Sequence, residues 1–390
     1  MNKQMQIEKF KAGSFVNQMG YKSFLPTLIN SSWNWTDPEI NVLLEQASSE
    51  LGGLNSFSDL IPNIDVYIQM HIRTEANKSS KIEGTKTSIE EDLMDVEDIS
   101  PEKRDDHEEV QNYIRAMHYG IDRIQNDGFP LTTRLIRETH DVLMQGVRGA
   151  HKTPGEFRIQ QNWIGGTMPS NAVFVPPSVD DMYDLLSDLE KFIHNDREQI
   201  PHLIKIALIH YQFETIHPFQ DGNGRIGRLL IPLYLLNKKI LDKPCFYISD
   251  FFEKTRTVYY DALQNVRIKN ELANWIKYFL KAVLYTAKSA KLKFKNVVHL
   301  VDEYEGRMLS ITGRSENNMC ILKAFFKEPV LTSKQLQERT NLSQATIDKA
   351  VRNMLEEDML REITGYSRNR IFTLSKYLGI FANNNQDEFL

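Results

Sequence analysis

Along most of this chain apolar residues recur every three to four positions, the spacing of one buried helix face. Ile64, Tyr67, Ile68, His71 and Ile72, with Glu75 in phase, predict a helix from about 64 to Glu83, stopped by Gly84 just past its end. Ser100-Pro101-Glu102 offers a serine cap followed by proline in the first turn, a start signal for the next helix. Helical spacing continues over Tyr113–Ile124 and over Leu131–Met144, the second introduced by Pro-Leu-Thr-Thr. Two further helices are predicted over Asp180–His194 and Pro201–Ile216, the latter with Leu203, Ile206, Ala207, His210, Phe213 and Ile216 on one broad face. Another follows over Ile226–Lys238, and helices fill 253–309.

Three stretches break this rhythm. Residues 1 to about 60 read as irregular, with Trp33 and Trp35 in a cluster and a glycine break at Gly52-Gly53. Residues 146–180 are punctuated by Gly155, Asn162, Gly165, Gly166, Pro169, Asn171, Pro176 and Pro177 around β-like pieces such as Ala172-Val173-Phe174-Val175. That composition predicts a hairpin or long loop projecting from a helical body, a place where binding functions reside. After Thr312 the order is helix (Thr332–Thr340), turn (Asn341-Leu342-Ser343), helix (Ser343–Glu356) and a hairpin from Leu360–Ile363 to Arg370–Leu374. This is the order of a winged helix-turn-helix. The fold class is therefore mainly α with a β-hairpin and a C-terminal winged helix-turn-helix. The chain divides into an N-terminal helical region (1–110), a core (111–285, central part 131–270), a connecting helix (286–315) and the winged unit (316–390).

Composition removes several function classes. The net charge of -5 excludes a chain built throughout to bind polyanions. Between Leu331 and Tyr377 eight Lys/Arg face six Asp/Glu, a net of +2, which is weak for DNA binding. Arg368 and Arg370 on the wing suit DNA, whereas Asp348 on the would-be recognition helix does not, so the winged unit serves protein contact at least as well. Cys245 and Cys320 lie among apolar neighbours without metal-binding spacing and read as buried thiols in a reducing compartment. The N-terminus lacks the apolar core of a signal peptide, and the longest apolar run, Leu229–Leu236, falls far short of the ~18 residues of a spanning helix. A cytoplasmic location without a membrane partner is expected.

The candidate chemistry lies in His217-Pro218-Phe219-Gln220-Asp221-Gly222-Asn223-Gly224-Arg225-Ile226-Gly227-Arg228. A helix ends at the histidine, and Gly222-Asn223-Gly224 lets main-chain amides approach an anion closely. The next helix begins there, adding its free N–H groups and the positive end of its dipole. Arg225 and Arg228, three apart, share a face. Cations at a helix N-terminus are unfavourable by ~0.3–1 kcal/mol unless an anion neutralises them, so the loop suits a polyphosphate. Asp221 amid phosphate-binding groups suggests Mg²⁺, which takes one or two carboxylates plus phosphate oxygens. His217 can accept a proton from an attacking hydroxyl. His210, two turns before His217, lies ~10 Å away along the helix, too far to share an ion, and reads as a packed residue.

This segment resembles the Fic motif, H-P-F-x-[DE]-G-N-G-R-x-x-R, at every defined position. The resemblance extends over roughly 64–374 and implies a Fic-type helical core with a β-hairpin flap. It implies transfer of AMP from ATP to a Tyr, Thr or Ser hydroxyl of a target protein, with pyrophosphate released. His217 is then the general base, Phe219 the inward anchor and Asp221 the Mg²⁺ ligand. Gly222, Asn223 and Gly224 form the anion hole, Arg225 and Arg228 hold the β- and γ-phosphates, and Ile226 and Gly227 complete the ATP-binding loop. Related kinases carry lysine where this chain has Gly224, which favours AMP over phosphate transfer. Phosphocholine transfer, removal of AMP from modified proteins, or a DNA-binding regulator led by the winged helix remain the alternatives.

Gly155-Glu156-Phe157-Arg158, Gln161-Asn162-Trp163-Ile164-Gly165-Gly166 and Phe174-Val175-Pro176-Pro177 resemble the family's flap, expected at about 155–177 to dock the target by strand addition. Ser249 and Tyr259-Tyr260 resemble the segment lining the adenosine pocket; Thr255 stands where the family often has asparagine, next to Lys254. Ser79-Ser80-Lys81-Ile82-Glu83-Gly84 resembles the inhibitory [ST]-x-x-x-E-[GN] helix. Ser79, Glu83 and Gly84 would then form an inhibitory element, Glu83 engaging Arg228 and so touching the ATP site. Family members often pair near this helix, so a homodimer joins ATP and the target among the implied partners.

Overall fold

The computed structural model describes residues 4–61, 64–146, 152–312, 316–365 and 370–382. Residues 4–60, expected to be irregular, form four short strands and a long helix. β1 (Met5–Gln6) pairs in parallel with β4 (Trp33–Asn34), and β2 (Gly13–Asn17) forms an antiparallel hairpin with β3 (Lys22–Pro26) that sets Phe15 opposite Phe24. α1 (Pro38–Leu60) then runs straight through the expected glycine break. Its start is strong: the Asp37 carboxylate accepts from the Glu39 N–H at 2.9 Å, and Pro38 occupies the first turn. Ile40, Leu43, Ala47, Leu51 and Leu54 form a buried stripe. This face is laid along the later helix α10 (Leu272–Thr312), and its burial outweighs the ~1 kcal/mol cost of each helical glycine.

The helices that follow are α2 (Ile64–Glu83), α3 (Arg104–Gln125), α4 (Thr133–Leu143), α5 (Val179–His194), α6 (His202–Ile216), α7 (Asn223–Asn237), α8 (Ser249–Lys254), α9 (Arg256–Lys269) and α10 (Leu272–Thr312). α2 has the bounds its apolar spacing predicts. Ser100 makes no side-chain cap; Pro101 instead begins a short 3-10 turn that leads into α3. α4 is capped by Thr132, whose hydroxyl accepts from Leu135 N–H at 3.3 Å. α6 is buried on every side from Leu203 to Ile216 and packs against α5, α7 and α10, the position expected of a helix apolar all round. The core is thus built around the helix that delivers His217. α10 is continuous for 41 residues, so the proposed boundary at 285/286 falls inside one helix, as does 110/111 inside α3.

The expected flap is a hairpin with a single bridge, between Ile164 and Phe174, around a 3-10 turn at 169–171. Proline supplies no N–H at 169, 176 or 177, and Gly165 and Gly166 adopt φ of +68° and +72°, so a longer ladder cannot form. β3 lies against it, with Phe24 N–H donating to the Val175 carbonyl at 2.9 Å.

The C-terminal unit comprises α11 (Glu316–Lys327), β5 (Val330–Thr332), α12 (Ser333–Thr340), α13 (Gln344–Glu356), β6 (Arg361–Glu362), β7 (Ile371–Thr373) and α14 (Ser375–Ala382), its sheet ordered β5-β7-β6. Thr332 and Gln335 form a capping box at α12. Residues 366–369, and with them Arg368 of the expected wing, lie outside the described residues. α11 and α14 pack on α2. Cys245 is buried, but Cys320 is exposed, contrary to the sequence reading. α11 turns Ile321, Leu322, Phe325 and Phe326 inward, which leaves Cys320 on the opposite face.

Candidate active site

His217 closes α6 in the left-handed conformation (φ 50°, ψ 61°), its N–H still bonded to the Phe213 carbonyl at 2.9 Å. That reversal sends the chain into a tightly laced loop. Phe219 is fully buried, as its inward anchoring role requires. Its N–H donates to Asn223 Oδ1, and Asn223 Nδ2 donates back to its carbonyl, both at 2.8 Å. Asn162 Nδ2 donates to the same carbonyl at 2.8 Å and to that of His217 at 3.1 Å. The Asn223 side chain therefore shapes the loop, which leaves only its main chain for the expected anion hole. Gly222 adopts φ +75°, and a Cβ there would also come within 2.8 Å of Met144 Sδ, so both conformation and space call for glycine.

Helix α7 starts at Asn223, three residues earlier than its apolar pattern indicates, so Gly224 lies in its first turn. The Asp221 carboxylate is exposed; Oδ1 accepts from Gly222 N–H at 2.6 Å. Arg225 and Arg228 are buried and diverge. Arg225 reaches Glu109 on α3 at 3.4 Å and Asp221 at 3.7 Å. Arg228 turns to α2, donating from Nε to Ser79 Oγ at 2.8 Å and from Nη2 to the Ser79 carbonyl at 3.0 Å and Glu83 Oε1 at 2.7 Å. Burial resists the ionisation of Glu83, but the charge and hydrogen bond of Arg228, helped by Arg225, hold its carboxyl below the usual range. Gly84, at φ +116°, lets the chain leave α2 at once, its N–H bonded to the Ser80 and Lys81 carbonyls.

Burial first, then the charge of Arg267, drives the His217 imidazole down to about 4, so the ring is neutral near pH 7. Its Nδ1 is buried without a hydrogen-bond partner. One turn earlier, burial pushes the Glu214 carboxyl up to about 7. Its Oε1 is also unpaired and packs where a Cβ on Gly227 would collide. Gly227 is thus a packing requirement between α6 and α7.

Several supporting residues escape sequence reasoning. Arg158 had been read only as part of the flap; it is buried and donates to the His217 carbonyl (3.1 Å) and the Pro177 carbonyl (2.6 Å), tying loop to flap. Arg267 lies over the Phe174 ring at 3.9 Å while donating to the Glu214 carbonyl at 3.1 Å. Glu75, buried in α2, accepts from Ser249 and Tyr113. A charged residue in a long buried helix face is the one signal that marked Glu75. His210 is packed as expected, between the Gly227 carbonyl and the Tyr259 hydroxyl, each at 2.9 Å.

In the segment expected to line an adenosine pocket, Ser249 and Tyr259 are buried, and most of the side chains are engaged by neighbours in the fold. Ser249 is spent on Glu75 and Tyr259 on His210, while Thr255 bonds the Phe251 carbonyl and Lys254 the Tyr285 hydroxyl. Tyr260 remains 40% exposed. In the C-terminal unit, Arg339 pairs with Glu328, Arg361 with Glu90 and Arg370 with Glu362, so these cations already have carboxylate partners. Among the described residues no helix is long and apolar enough to cross a membrane, and no group of three His, Cys, Asp or Glu converges on one point.

A half-buried histidine at a helix end, a glycine-bounded loop and two buried arginines at the start of the next helix come together on a helical scaffold. Residues 42–122 match the family model described as Fic/DOC family N-terminal, and residues 130–235 match that described as Fic/DOC family. The chain belongs to the Fic family. It is 32% identical over 164 residues to the protein adenylyltransferase Fic of Aedes aegypti, covering 41% of this chain and 29% of the relative. To that of Drosophila melanogaster it is 32% identical over 136 residues, covering 34% and 25%. The matched part thus spans less than a third of either relative. Among solved structures, a Fic family protein from Desulfovibrio desulfuricans has the same fold (TM-score 0.53, 20% identity, 87% of this chain and 96% of that one). So does a Fic domain-containing signalling protein from Bacteroides thetaiotaomicron (TM-score 0.52, 20% identity, 64% and 95%).

Proposed function

We propose that this chain transfers AMP from ATP to a Tyr, Thr or Ser hydroxyl of a target protein, and that Glu83 restrains it. The observation that carries the reading is where the Glu83 carboxylate lies. It sits over the first turn of α7, against Arg228, where a Cβ on Gly224 would collide with Oε1. A carboxylate on a helix N-terminus and a buried arginine is a protein-borne substitute for a phosphate. The competition is then direct: Arg228 holds either Glu83 or the terminal phosphate of ATP.

The donor set fits Mg²⁺. Asp221 offers an exposed carboxylate at the mouth of the same helix, and one carboxylate plus phosphate oxygens is the usual coordination of this ion. When bound, the ion supplies charge stabilisation on the phosphates. The chain's own groups do the rest. The main chain of Asn223 and Gly224 at the start of α7, with Arg225, orients the polyphosphate, and neutral His217 takes the proton of the incoming hydroxyl. The target oxygen bonds to the α-phosphorus as the bond to pyrophosphate breaks. The flap, with Val173 68% exposed beside the Ile164–Phe174 bridge, offers the edge for a target strand.

The test uses the Glu83→Gly variant with Mg²⁺, candidate target proteins from a lysate, and ATP labelled in parallel at the α- or γ-phosphate. Protein labelled from the α-position alone supports AMP transfer. Label from the γ-position makes the chain a kinase, and label from neither points to phosphocholine transfer or AMP removal.

A further inference from the structure

The motif's metal ligand and the root of the flap are joined through one side chain outside the motif, His140 on α4. Its ring is buried and lies flat on Phe219, with centroids 3.7 Å apart and planes 5° from parallel. Nδ1 accepts the Gly155 N–H at 3.0 Å, which leaves Nε2 to carry the proton and donate to the Asp221 carbonyl, also at 3.0 Å. The tautomer is fixed by its two partners. One turn back on the same helix, Arg137 Nε donates to the Gly155 carbonyl at 2.8 Å, so α4 grips both main-chain groups of that glycine. Gly155 has φ +74°, and the flap departs from it.

We infer that His140 is a positioning residue that sets the Asp221 carboxylate and the flap root in register with one another, through its two ring nitrogens. The inference rests on the AMP-transfer reading for the roles of Asp221 and the flap, but the contacts themselves do not. Its logic is that of a partner holding a metal ligand: the carboxylate is steered through the main chain to which it belongs. Because Asp221 also receives the Gly222 N–H on Oδ1, a shift of its carbonyl turns the whole residue.

The two nitrogens can be removed separately, since an asparagine amide reaches the Nδ1 position and a glutamine amide the Nε2 position. His140→Asn keeps an acceptor for Gly155 and loses the donor to Asp221; His140→Gln does the reverse. Two measurements on the full chain read the two ends. Calorimetry of ATP with and without Mg²⁺ gives the gain in affinity due to the ion, and hydrogen–deuterium exchange of peptides covering 153–165 gives Gly155 protection. His140→Asn is expected to cut the Mg²⁺-dependent gain about ten-fold while Gly155 stays protected. His140→Gln should preserve most of that gain while Gly155 exchange speeds up about five-fold. Parallel losses in both variants mean a packing role only and overturn the inference, as does unchanged behaviour in both. A wild-type chain whose ATP binding ignores Mg²⁺ overturns the AMP-transfer reading and the Asp221 half with it, and exchange at Gly155 still decides the other half.

Discussion

Arg228 Nη2 and Glu83 Oε1 stand 2.7 Å apart across 145 residues of chain, and this contact brings α2 onto the start of α7. Two further bonds from Arg228 to Ser79 keep the guanidinium oriented when Glu83 is absent. Glu83→Gly should therefore free the anion site without dismantling it. Incorporation of label from α-labelled ATP is expected to rise between about 5- and 150-fold, the usual span of a coupling between two sites. Adding His217→Ala should return it to background. A Glu83→Gly variant no more active than wild type would show that the contact restrains nothing.

What was legible in the sequence, and what was not, follows from the range of the forces involved. The helices with a continuous apolar stripe, α2 and α6 above all, were readable because the stripe is local. The loop from His217 to Arg228 was readable because its chemistry is crowded into twelve positions. His140, Arg158 and Arg267 were not, since each acts on the loop through partners 52 to 81 residues away that only the fold brings near. The same applies to α1. Its stripe is matched by a partner face on α10, far along the chain, and two central glycines argued locally against a helix.

Those glycines give a stability test. Gly52 lies on the exposed side of α1 in helical conformation, and a Cβ there meets nothing within 4 Å. Gly52→Ala should raise unfolding free energy by about 0.5–1 kcal/mol, through helix propensity and a less flexible unfolded chain. Urea unfolding followed by circular dichroism checks it. At Gly53 a Cβ would stand 3.3 Å from Lys291 Nζ, so Gly53→Ala should gain less.

Stability should fall with acid in two stages. His71 and His210 are buried to about 3 and His140 to about 4, all below an ordinary histidine. Folded pKa values below the unfolded one contribute stability that is complete above pH ~6.5 and lost as pH falls, by about 1.4 kcal/mol per pH unit for each group. Glu214 and Asp92 act oppositely. Burial raises them to about 7 and about 6, so their contribution is complete at low pH and lost as pH rises through those values. Between pH 6.5 and roughly 4 the two sets partly cancel; below that His71 and His210 act unopposed by these acids. Unfolding free energy measured from pH 6.5 to 3 should decline gently and then steeply. A curve flat below pH 4 would contradict the neutral burial of these rings.

Glu75 is the second acid by which α2 is fastened, and its bonds should be energetically coupled. Its carboxyl accepts the Ser249 N–H at 3.0 Å, the Ser249 hydroxyl at 2.5 Å and the Tyr113 hydroxyl at 3.1 Å, joining α2 to α8 and α3. Burial raises its pKa, and Ser249 is the main hydrogen-bond partner opposing that rise. Ser249→Ala removes one donor from a buried acid and should cost about 1–3 kcal/mol. In a Glu75→Gln background the same change should cost less, because a bond to a neutral amide is weaker than one to a carboxylate. Urea denaturation of the four proteins in this cycle isolates the interaction, expected at about 0.5–3 kcal/mol for groups in contact. Equal costs for Ser249→Ala in both backgrounds would mean that Ser249 supports α2 by packing rather than through Glu75.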